Sequence, residues 1–118
     1  MPNSRVSRSN VDRVKKEKKL TPNQIGGANE RRTQVYYENL GYVVDTTKRT
    51  KFNSNDFFNL FDHICVSDKS IRFVQTKTNT LPNKEYRQKI KDFVVPPGVF
   101  KEIVVWKDNQ DFPLIYQY

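Results

Sequence analysis

Three polar side chains interrupt two apolar runs in the middle of the chain. Asp62 lies within the apolar run at residues 60–66, and Gln75 and Lys77 lie within a second run at residues 71–77. On a strand, residues two apart project to the same face, so Gln75 and Lys77 point the same way and Thr76 points back. Polar groups in such runs cost stability unless they have partners. A carboxylate, an amide oxygen and an ammonium group on adjacent strands predict a site for an oxygen-preferring cation and a polarised water.

The cysteine and histidine counts limit which metal sites the chain can build. Cys65 is the only cysteine and His63 the only histidine. An internal disulfide and a Cys/His zinc cluster are therefore excluded, and any metal must be held by oxygen ligands. Lone Cys65 is most simply a small core residue, and we expect His63 to lie on the strand face opposite Asp62 as a packed or hydrogen-bonded side chain.

The overall charge favours a polyanionic partner. The net charge is +8 and the pI is about 9.7. A basic surface attracts nucleic acid, although a charge that serves only solubility is the alternative. No apolar run approaches the roughly 18 to 20 residues needed to cross a bilayer, and no apolar stretch follows the basic N-terminus, so we expect a cytoplasmic protein without a membrane partner, in the host cytoplasm if its origin is viral.

Residues 1–20 form a basic arm with seven basic and two acidic residues and few side chains to bury. Such a composition predicts an arm that is flexible when unbound and grips phosphates, or else a solubilising tail. The candidate nucleic-acid-binding residues are Arg5, Arg8, Arg13, Lys15 and Lys16 of the arm, Lys48, Arg49 and Lys51 of a later loop, and Arg87 of a later helix.

The remaining residues, 21–118, are expected to form one domain around these candidates. Thr21 to Gln24 has the form of a capping box, so a helix either begins there and runs toward Leu40 or, because Gly26 and Gly27 weaken it, covers only residues 29–40. The other predicted elements are a strand at 42–44, a loop at 45–55, a β-hairpin with strands at 60–67 and 71–78, a helix at 84–93 and two strands at 101–107 and 113–118. This order predicts a mixed α/β fold with a central sheet of four or five strands flanked by helices.

Four short segments resemble a known family in order and spacing. They are Gly27-Ala28-Asn29-Glu30, Leu40-Gly41-Tyr42, Phe61-Asp62-His63-Ile64 and Val74-Gln75-Thr76-Lys77. The pattern is similar to that of the PD-(D/E)xK nucleases, and within them to the small archaeal-type Holliday junction resolvases. The resemblance covers residues 27–79 and implies a restriction-endonuclease-like core.

The resemblance also implies roles for individual residues. Asp62 would be the principal ligand of a Mg²⁺ ion, for which Mn²⁺ can substitute, and the Gln75 side-chain oxygen and the Thr76 carbonyl would complete the protein's ligands. Glu30 would approach from the helix, directly or through a water, and Lys77 would favour deprotonation of the attacking water and stabilise the transition state. The implied activity is hydrolysis of a DNA phosphodiester, with branched DNA as substrate and a homodimer to cut two symmetric strands.

Two positions leave alternatives open. The family usually has glutamate where this chain has Gln75, so a non-catalytic nucleic-acid-binding protein that keeps the nuclease fold is the alternative function, and an RNA-associated protein is a third interpretation. Asp56, which precedes the metal aspartate as an acidic residue does in related nucleases, is either an auxiliary acid or the cap of a short turn.

Overall fold

A computed structural model describes residues 20–48 and 56–118 of the chain. Within these residues, seven elements follow one another in the order predicted from the sequence. They are helix α1 (Pro22–Asn39), strands β1 (Val43–Thr46), β2 (His63–Val66) and β3 (Ile71–Thr78), helix α2 (Lys84–Asp92), and strands β4 (Val99–Trp106) and β5 (Leu114–Gln117). Within the described residues, no helix is both long enough and apolar enough to span a membrane.

Helix α1 has the longer of its two predicted extents. The Thr21 hydroxyl accepts a hydrogen bond from the Gln24 backbone N–H, and the Gln24 side chain accepts one from the Thr21 N–H, which completes the capping box. Proline at the first helical position needs no hydrogen-bond partner for its nitrogen. These contacts start the helix before the two glycines, which α1 accommodates in its interior. Gly41, at φ 98°, ends it in a conformation that favours glycine.

One five-stranded mixed sheet has the strands in chain order, β1 to β5. Strands β3 and β4 are parallel and are connected through α2, whereas the other neighbours are antiparallel. The predicted mixed α/β class and strand number are confirmed. Three strand boundaries differ by two or more residues from the prediction: β1 continues to Thr46, β4 begins at Val99, and β2 begins only at His63. The last difference arises because Phe61 closes a tight turn, in which the Phe57 N–H donates to the Phe61 carbonyl.

The sheet carries a hydrophobic cluster on each face. On one face, Tyr37 of α1 packs with Cys65, Val74, Val104 and Trp106. On the other, α2 and the 57–61 turn pack with the sheet, and this cluster consists of Leu60, Phe61, Ile90, Ile103 and Val105 with Phe73 beside them. Because side chains alternate along a strand, Val74 and Thr76 face α1, and Phe73, Gln75 and Lys77 face α2.

Candidate functional site

Asp62 lies where the β2–β3 ladder ends. The last backbone pair of that ladder is His63 with Val74, and the Asp62 N–H donates to the Val74 carbonyl at 2.8 Å. The Asp62 Oδ2 then accepts a hydrogen bond from the Thr76 backbone N–H at 3.0 Å, although the residue is completely buried. The carboxylate therefore takes the place that a backbone carbonyl would hold in a continued ladder, and it is fixed against the edge of β3.

Gln75 and the Thr76 backbone lie beside this carboxylate. Gln75 directly precedes Thr76, the residue whose backbone N–H contacts the Asp62 carboxylate. In an antiparallel pair, the N–H and the C=O of one residue point to the same neighbour, so the Thr76 carbonyl points to the edge that Asp62 occupies. The structure thus brings together three of the predicted metal ligands, namely Asp62, Gln75 and Thr76, at one end of β2.

Tyr86 is a residue at this site that the sequence did not reveal. Its hydroxyl lies 2.8 Å from the Leu60 carbonyl and 3.3 Å from the Gln75 Oε1. A hydroxyl has one proton, so the nearer Leu60 carbonyl is its main acceptor and the Gln75 Oε1 is the weaker, alternative one. In the sequence Tyr86 is only an aromatic residue within a basic helix, and its role depends on how α2 docks.

Lys77 lies two residues beyond Gln75 and shares its face of the sheet. It is half-buried and pairs with Val105 of β4 in the parallel register. The ammonium group is therefore carried by a central strand, next to the strand edge where Asp62 and Thr76 meet. Gln75 and Lys77 therefore lie on one strand and on the same face of the sheet, as the sequence predicted.

Glu30 is half-buried in α1, next to a residue that ties this helix to β3. The Asn29 side-chain amide donates to the Thr78 hydroxyl at 2.8 Å, which holds this turn of α1 at the far end of β3. Helix α1 covers the sheet face opposite Gln75 and Lys77, so Glu30 does not share their face. Its convergence with Asp62 stays a prediction.

A buried hydrogen-bond chain supports Thr76 from the α1 face. His63 is completely buried, with Nε2 2.7 Å from the Thr76 hydroxyl and Nδ1 2.8 Å from the Thr46 hydroxyl. The Thr76 hydroxyl donates to the Thr33 hydroxyl of α1 at 2.8 Å. His63 is thus a buried, hydrogen-bonded histidine, as predicted, and it lies on the α1 face of the sheet. The hydrogen-bond chain holds Thr76 in place from this face.

Asp56 opens the turn that precedes Asp62. Its carbonyl accepts from the Asn59 N–H at 3.0 Å, so the turn is closed by backbone groups. Its Oδ1 is buried and has no hydrogen-bond partner within the described residues. Both interpretations of Asp56, the auxiliary acid and the turn cap, stay predictions.

The candidate nucleic-acid-binding residues are only partly within the described structure. Arg5, Arg8, Arg13, Lys15, Lys16, Arg49 and Lys51 lie outside it. Lys48 is exposed after β1, and Arg87 is half-buried in α2, where it lines a cavity of about 210 Å³.

The donor atoms near Asp62 suit a hard cation. In residues 20–48 and 56–118, no three His, Cys, Asp or Glu side chains form a group that could hold a metal. The predicted set contains two carboxylates, an amide oxygen and a backbone carbonyl, so it would not form such a group. Buried oxygen donors of this kind fit Mg²⁺, which is bound by oxygen and usually through only one or two carboxylates.

A second buried polar cluster on the α1 face belongs to the scaffold. Glu102 accepts hydrogen bonds from the Tyr37 hydroxyl and from Gln117, and it forms an ion pair with Arg72. Burial, together with the hydrogen bond to Glu102, raises the pKa of Tyr37 far above its usual value. Burial also raises the pKa of the nearby Cys65 thiol to about 12. The tyrosine and the thiol stay neutral at physiological pH, and the cluster holds α1 to the sheet.

Comparisons with known proteins agree with this architecture. No protein-family model matches the sequence, and no curated protein matches it at a significant level. The chain shares its fold with a Holliday junction resolvase. That protein is Hjc from the hyperthermophilic archaeon Archaeoglobus fulgidus, which matches 75% of this chain and 74% of its own, with a TM-score of 0.53 and 12% sequence identity. The nuclease-like α/β fold that the sequence motifs implied is therefore confirmed, and the likeness at this identity is one of fold.

Proposed function

We propose that the protein is a Mg²⁺-dependent endodeoxyribonuclease that hydrolyses phosphodiester bonds in branched DNA. The observation that carries this proposal is the Asp62 carboxylate, fixed by the Thr76 N–H at the edge of β3 next to Gln75. A carboxylate, an amide oxygen and a backbone carbonyl close together are oxygen donors of the kind that Mg²⁺ prefers. The shared fold with a Holliday junction resolvase and the net charge of +8 support DNA as the substrate.

In this proposal each residue has a separate task. Asp62 is the main ligand, the Gln75 Oε1 and the Thr76 carbonyl add neutral oxygen ligands, and Glu30 approaches from α1. When bound, Mg²⁺ or Mn²⁺ supplies Lewis-acid polarisation of the phosphate and of the attacking water. Lys77 favours removal of the water proton and stabilises the negative charge that grows on the phosphate oxygens.

The neutral amide of Gln75 weakens the negative potential at the site relative to a glutamate. Metal affinity then depends mainly on Asp62 and Glu30, so we expect a requirement for millimolar rather than micromolar Mg²⁺. Tyr86 offsets part of this effect, because its contact with Gln75 fixes the side chain that must present its oxygen.

The test uses a labelled four-way junction and a linear duplex of the same sequence, each with Mg²⁺, with Mn²⁺ or with EDTA. Asp62→Asn keeps an oxygen for the Thr76 N–H but loses the charge, and Lys77→Gln removes the ammonium group. We expect each variant to lose about 100-fold or more in cleavage rate. Asp68→Asn and Lys69→Gln make the same charge changes at exposed positions of the β2–β3 turn and should cleave like the parent.

Intact junction at every metal concentration, or an Asp62→Asn variant that cleaves at the parental rate, would refute the enzymatic proposal. The second candidate is a nucleic-acid-binding protein that retains the nuclease fold. The neutral Gln75, at a position where the family usually has glutamate, is the observation that favours it. Metal-independent binding of DNA with unchanged substrate supports that candidate, and preferential binding of RNA in competition supports an RNA-associated protein.

Resolution of a junction requires two symmetric cuts and hence two sites, which a homodimer supplies. We therefore propose a dimer on the DNA. Native mass spectrometry of the protein–junction complex should give two chains for each junction, and a one-to-one complex that still cuts both strands contradicts this.

A further inference from the structure

One side of helix α2 carries a basic stripe. Lys84, Arg87 and Lys91 follow one another at intervals of three and four residues, which places them on one face of the helix. At a rise of 1.5 Å per residue, the stripe is about 10 Å long. Lys84 and Lys91 are exposed, and Arg87 is half-buried. Lys89 lies on another side of α2. The three residues of the stripe therefore form one basic surface, and Lys89 is a basic residue of the same helix outside that surface.

The stripe lines a groove with a defined volume. Lys84, Arg87, Gln88, Lys91 and Tyr118 enclose about 210 Å³. Pockets for small organic ligands have volumes of roughly 300 to 1,000 Å³, so this groove is too small for a nucleotide. It has room for one phosphate group beside Tyr118.

The cations of the groove have no ion-pair partner within the described residues. None of Lys84, Arg87 and Lys91 forms an ion pair there, and Arg87 has a buried Nε without a hydrogen-bond partner. The carboxylate of Asp92, which follows Lys91 in the helix, accepts a hydrogen bond from the Gln88 side chain at 2.9 Å. A buried N–H without an acceptor costs free energy, and a guanidinium group pairs best with the two oxygens of a phosphate or carboxylate. The groove is therefore suited to an anion with oxygen acceptors, such as a phosphate group.

The groove lies on the same side of the molecule as the candidate metal site. Helix α2 covers the sheet face that carries Gln75 and Lys77, and Tyr86, which is adjacent to Arg87 in the chain, contacts the Gln75 side chain. A phosphate bound in the groove and a phosphate near Asp62 can thus belong to the same nucleic-acid strand. Phosphate contacts of this kind fix the register and orientation of DNA without reading its sequence.

We infer that this groove binds a backbone phosphate of DNA at a distance from the scissile bond and so orients the strand over the Asp62 site. The identity of the polymer rests on the proposed function. Arg87 and the two lysines are positioning residues in this inference, since they contact DNA but not the reacting atoms.

The first test compares two lysines of the same helix. Lys91→Gln and Lys89→Gln change the net charge equally, so a long-range field effect must be the same in both variants. Binding of a fluorescent four-way junction is measured by anisotropy in EDTA over a range of salt concentrations. We expect Lys91→Gln and Arg87→Gln to weaken binding about 3- to 10-fold. The slope of log Kd against log salt should fall by about 0.9 for each phosphate that the variant no longer neutralises.

Lys89→Gln should keep the parental affinity and salt slope. Equal weakening in Lys89→Gln and Lys91→Gln would show that only overall charge matters and would overturn the inference, as would unchanged binding in all three variants. Circular dichroism and thermal melting establish that each variant is folded before its affinity is interpreted.

The second test neutralises single phosphates of the junction with methylphosphonates. One position should weaken binding of the parent protein and have no further effect on Lys91→Gln, because that variant no longer binds the phosphate in question. If the loss of affinity caused by each methylphosphonate and the loss caused by Lys91→Gln add at every position of the junction, the inference is overturned.

These binding measurements separate the inference from the enzymatic proposal. If the junction is never cleaved but Lys91→Gln still binds more weakly than Lys89→Gln, the groove stands and the nuclease proposal falls. If cleavage depends on Asp62 but Lys91→Gln and Lys89→Gln bind alike, the nuclease proposal stands and the inference about the groove falls. A folded RNA that competes better than DNA for the groove makes RNA the partner and overturns the DNA assignment.

Discussion

At the scale of single residues, the sequence was informative wherever a polar side chain interrupts an apolar strand. Asp62 and Gln75 could be selected because a buried carboxylate and amide are costly without partners, and the structure places the Asp62 carboxylate against the N–H of Thr76, the residue after Gln75. Tyr86 could not be selected. Its hydroxyl reaches Gln75 only because α2 docks on that face of the sheet, and this docking has no local signal in the sequence.

Replacement of Tyr86 tests whether its hydroxyl positions Gln75. Tyr86→Phe removes the contact with Gln75 and the hydrogen bond to the Leu60 carbonyl, at a cost of about 1 kcal/mol in unfolding free energy. If Gln75 is a ligand, the Mg²⁺ concentration at half-maximal cleavage should rise several-fold while the affinity for DNA in EDTA stays the same. Tyr116→Phe, at an exposed position of β5, is the matched control. An unchanged Mg²⁺ requirement in Tyr86→Phe leaves the tyrosine a purely structural role.

The buried thiol of Cys65 gives a pH dependence that can be measured. Burial raises its pKa from 9.0 to about 12, so between these values the unfolded chain releases the thiol proton and the folded protein keeps it. The unfolded state then binds fewer protons, and stability falls as the pH rises, with a slope that approaches about 1.4 kcal/mol per pH unit for one group. Urea unfolding at pH 8 to 10 should show a smaller slope in Cys65→Ala than in the parent. Parallel curves for the two proteins contradict this assignment.

At the scale of the elements, caps and apolar runs predicted the order of helices and strands, whereas their ends depended on contacts between distant segments. The capping box at Thr21 favoured the longer α1, but two glycines opposed it, and the buried contacts of α1 with the sheet decide the outcome. Strand β2 is shorter than its apolar run because Leu60 and Phe61 pack under α2 as part of a turn. Apolar runs do not distinguish a strand from a packed turn.

Thr33 connects α1 to two strands through one hydroxyl group. It donates to the Asn29 carbonyl and accepts from the Thr76 hydroxyl and the Trp106 indole N–H, each within 3.0 Å. Thr33→Val keeps the shape but leaves the buried Trp106 N–H without its acceptor and removes one acceptor of the Thr76 hydroxyl, which should cost about 2 to 4 kcal/mol in unfolding free energy by chemical denaturation. Thr33→Ser keeps the hydroxyl and should be destabilised much less. Equal destabilisation of the two variants would mean that the methyl group, not the network, holds the helix.

Lys101 of β4 stabilises the end of α2. Its ammonium group is buried and donates to the carbonyls of Ile90, Lys91 and Phe93 at 2.6 to 2.9 Å, where the helix leaves carbonyls without intrahelical partners. Lys101→Met should cost about 2 to 4 kcal/mol, because several buried acceptors lose a charged donor, and amide exchange at the last turn of α2 should accelerate. Lys89→Met, at an exposed position of the same helix, should change neither quantity.

At the scale of the whole molecule, composition indicated a basic protein for a polyanion but not how the charge is distributed. Seven of the basic residues lie in residues 1–20, and the described domain adds a separate basic groove on α2. The strand order and the parallel pairing of β3 with β4 were also beyond prediction, because pairing between distant segments depends on the packing of both sheet faces. The shared fold with Hjc covers three quarters of the chain, so its architecture extends beyond the motif at residues 27–79.

The contribution of the N-terminal residues can be separated from that of the groove by combining a truncation with a point variant. Deletion of residues 1–19 keeps Leu20, which lines a cavity beside α1, and the capping box of that helix. If the arm holds phosphates, the truncated protein should bind a four-way junction more weakly, and the slope of log Kd against log salt should fall by about 0.9 for each phosphate that the arm neutralises. Because the arm and the groove would bind different phosphates, the reductions in binding free energy caused by the truncation and by Lys91→Gln should add. An unchanged salt slope after truncation assigns the arm to solubility, and reductions that do not add would mean that the arm and the groove compete for the same phosphates.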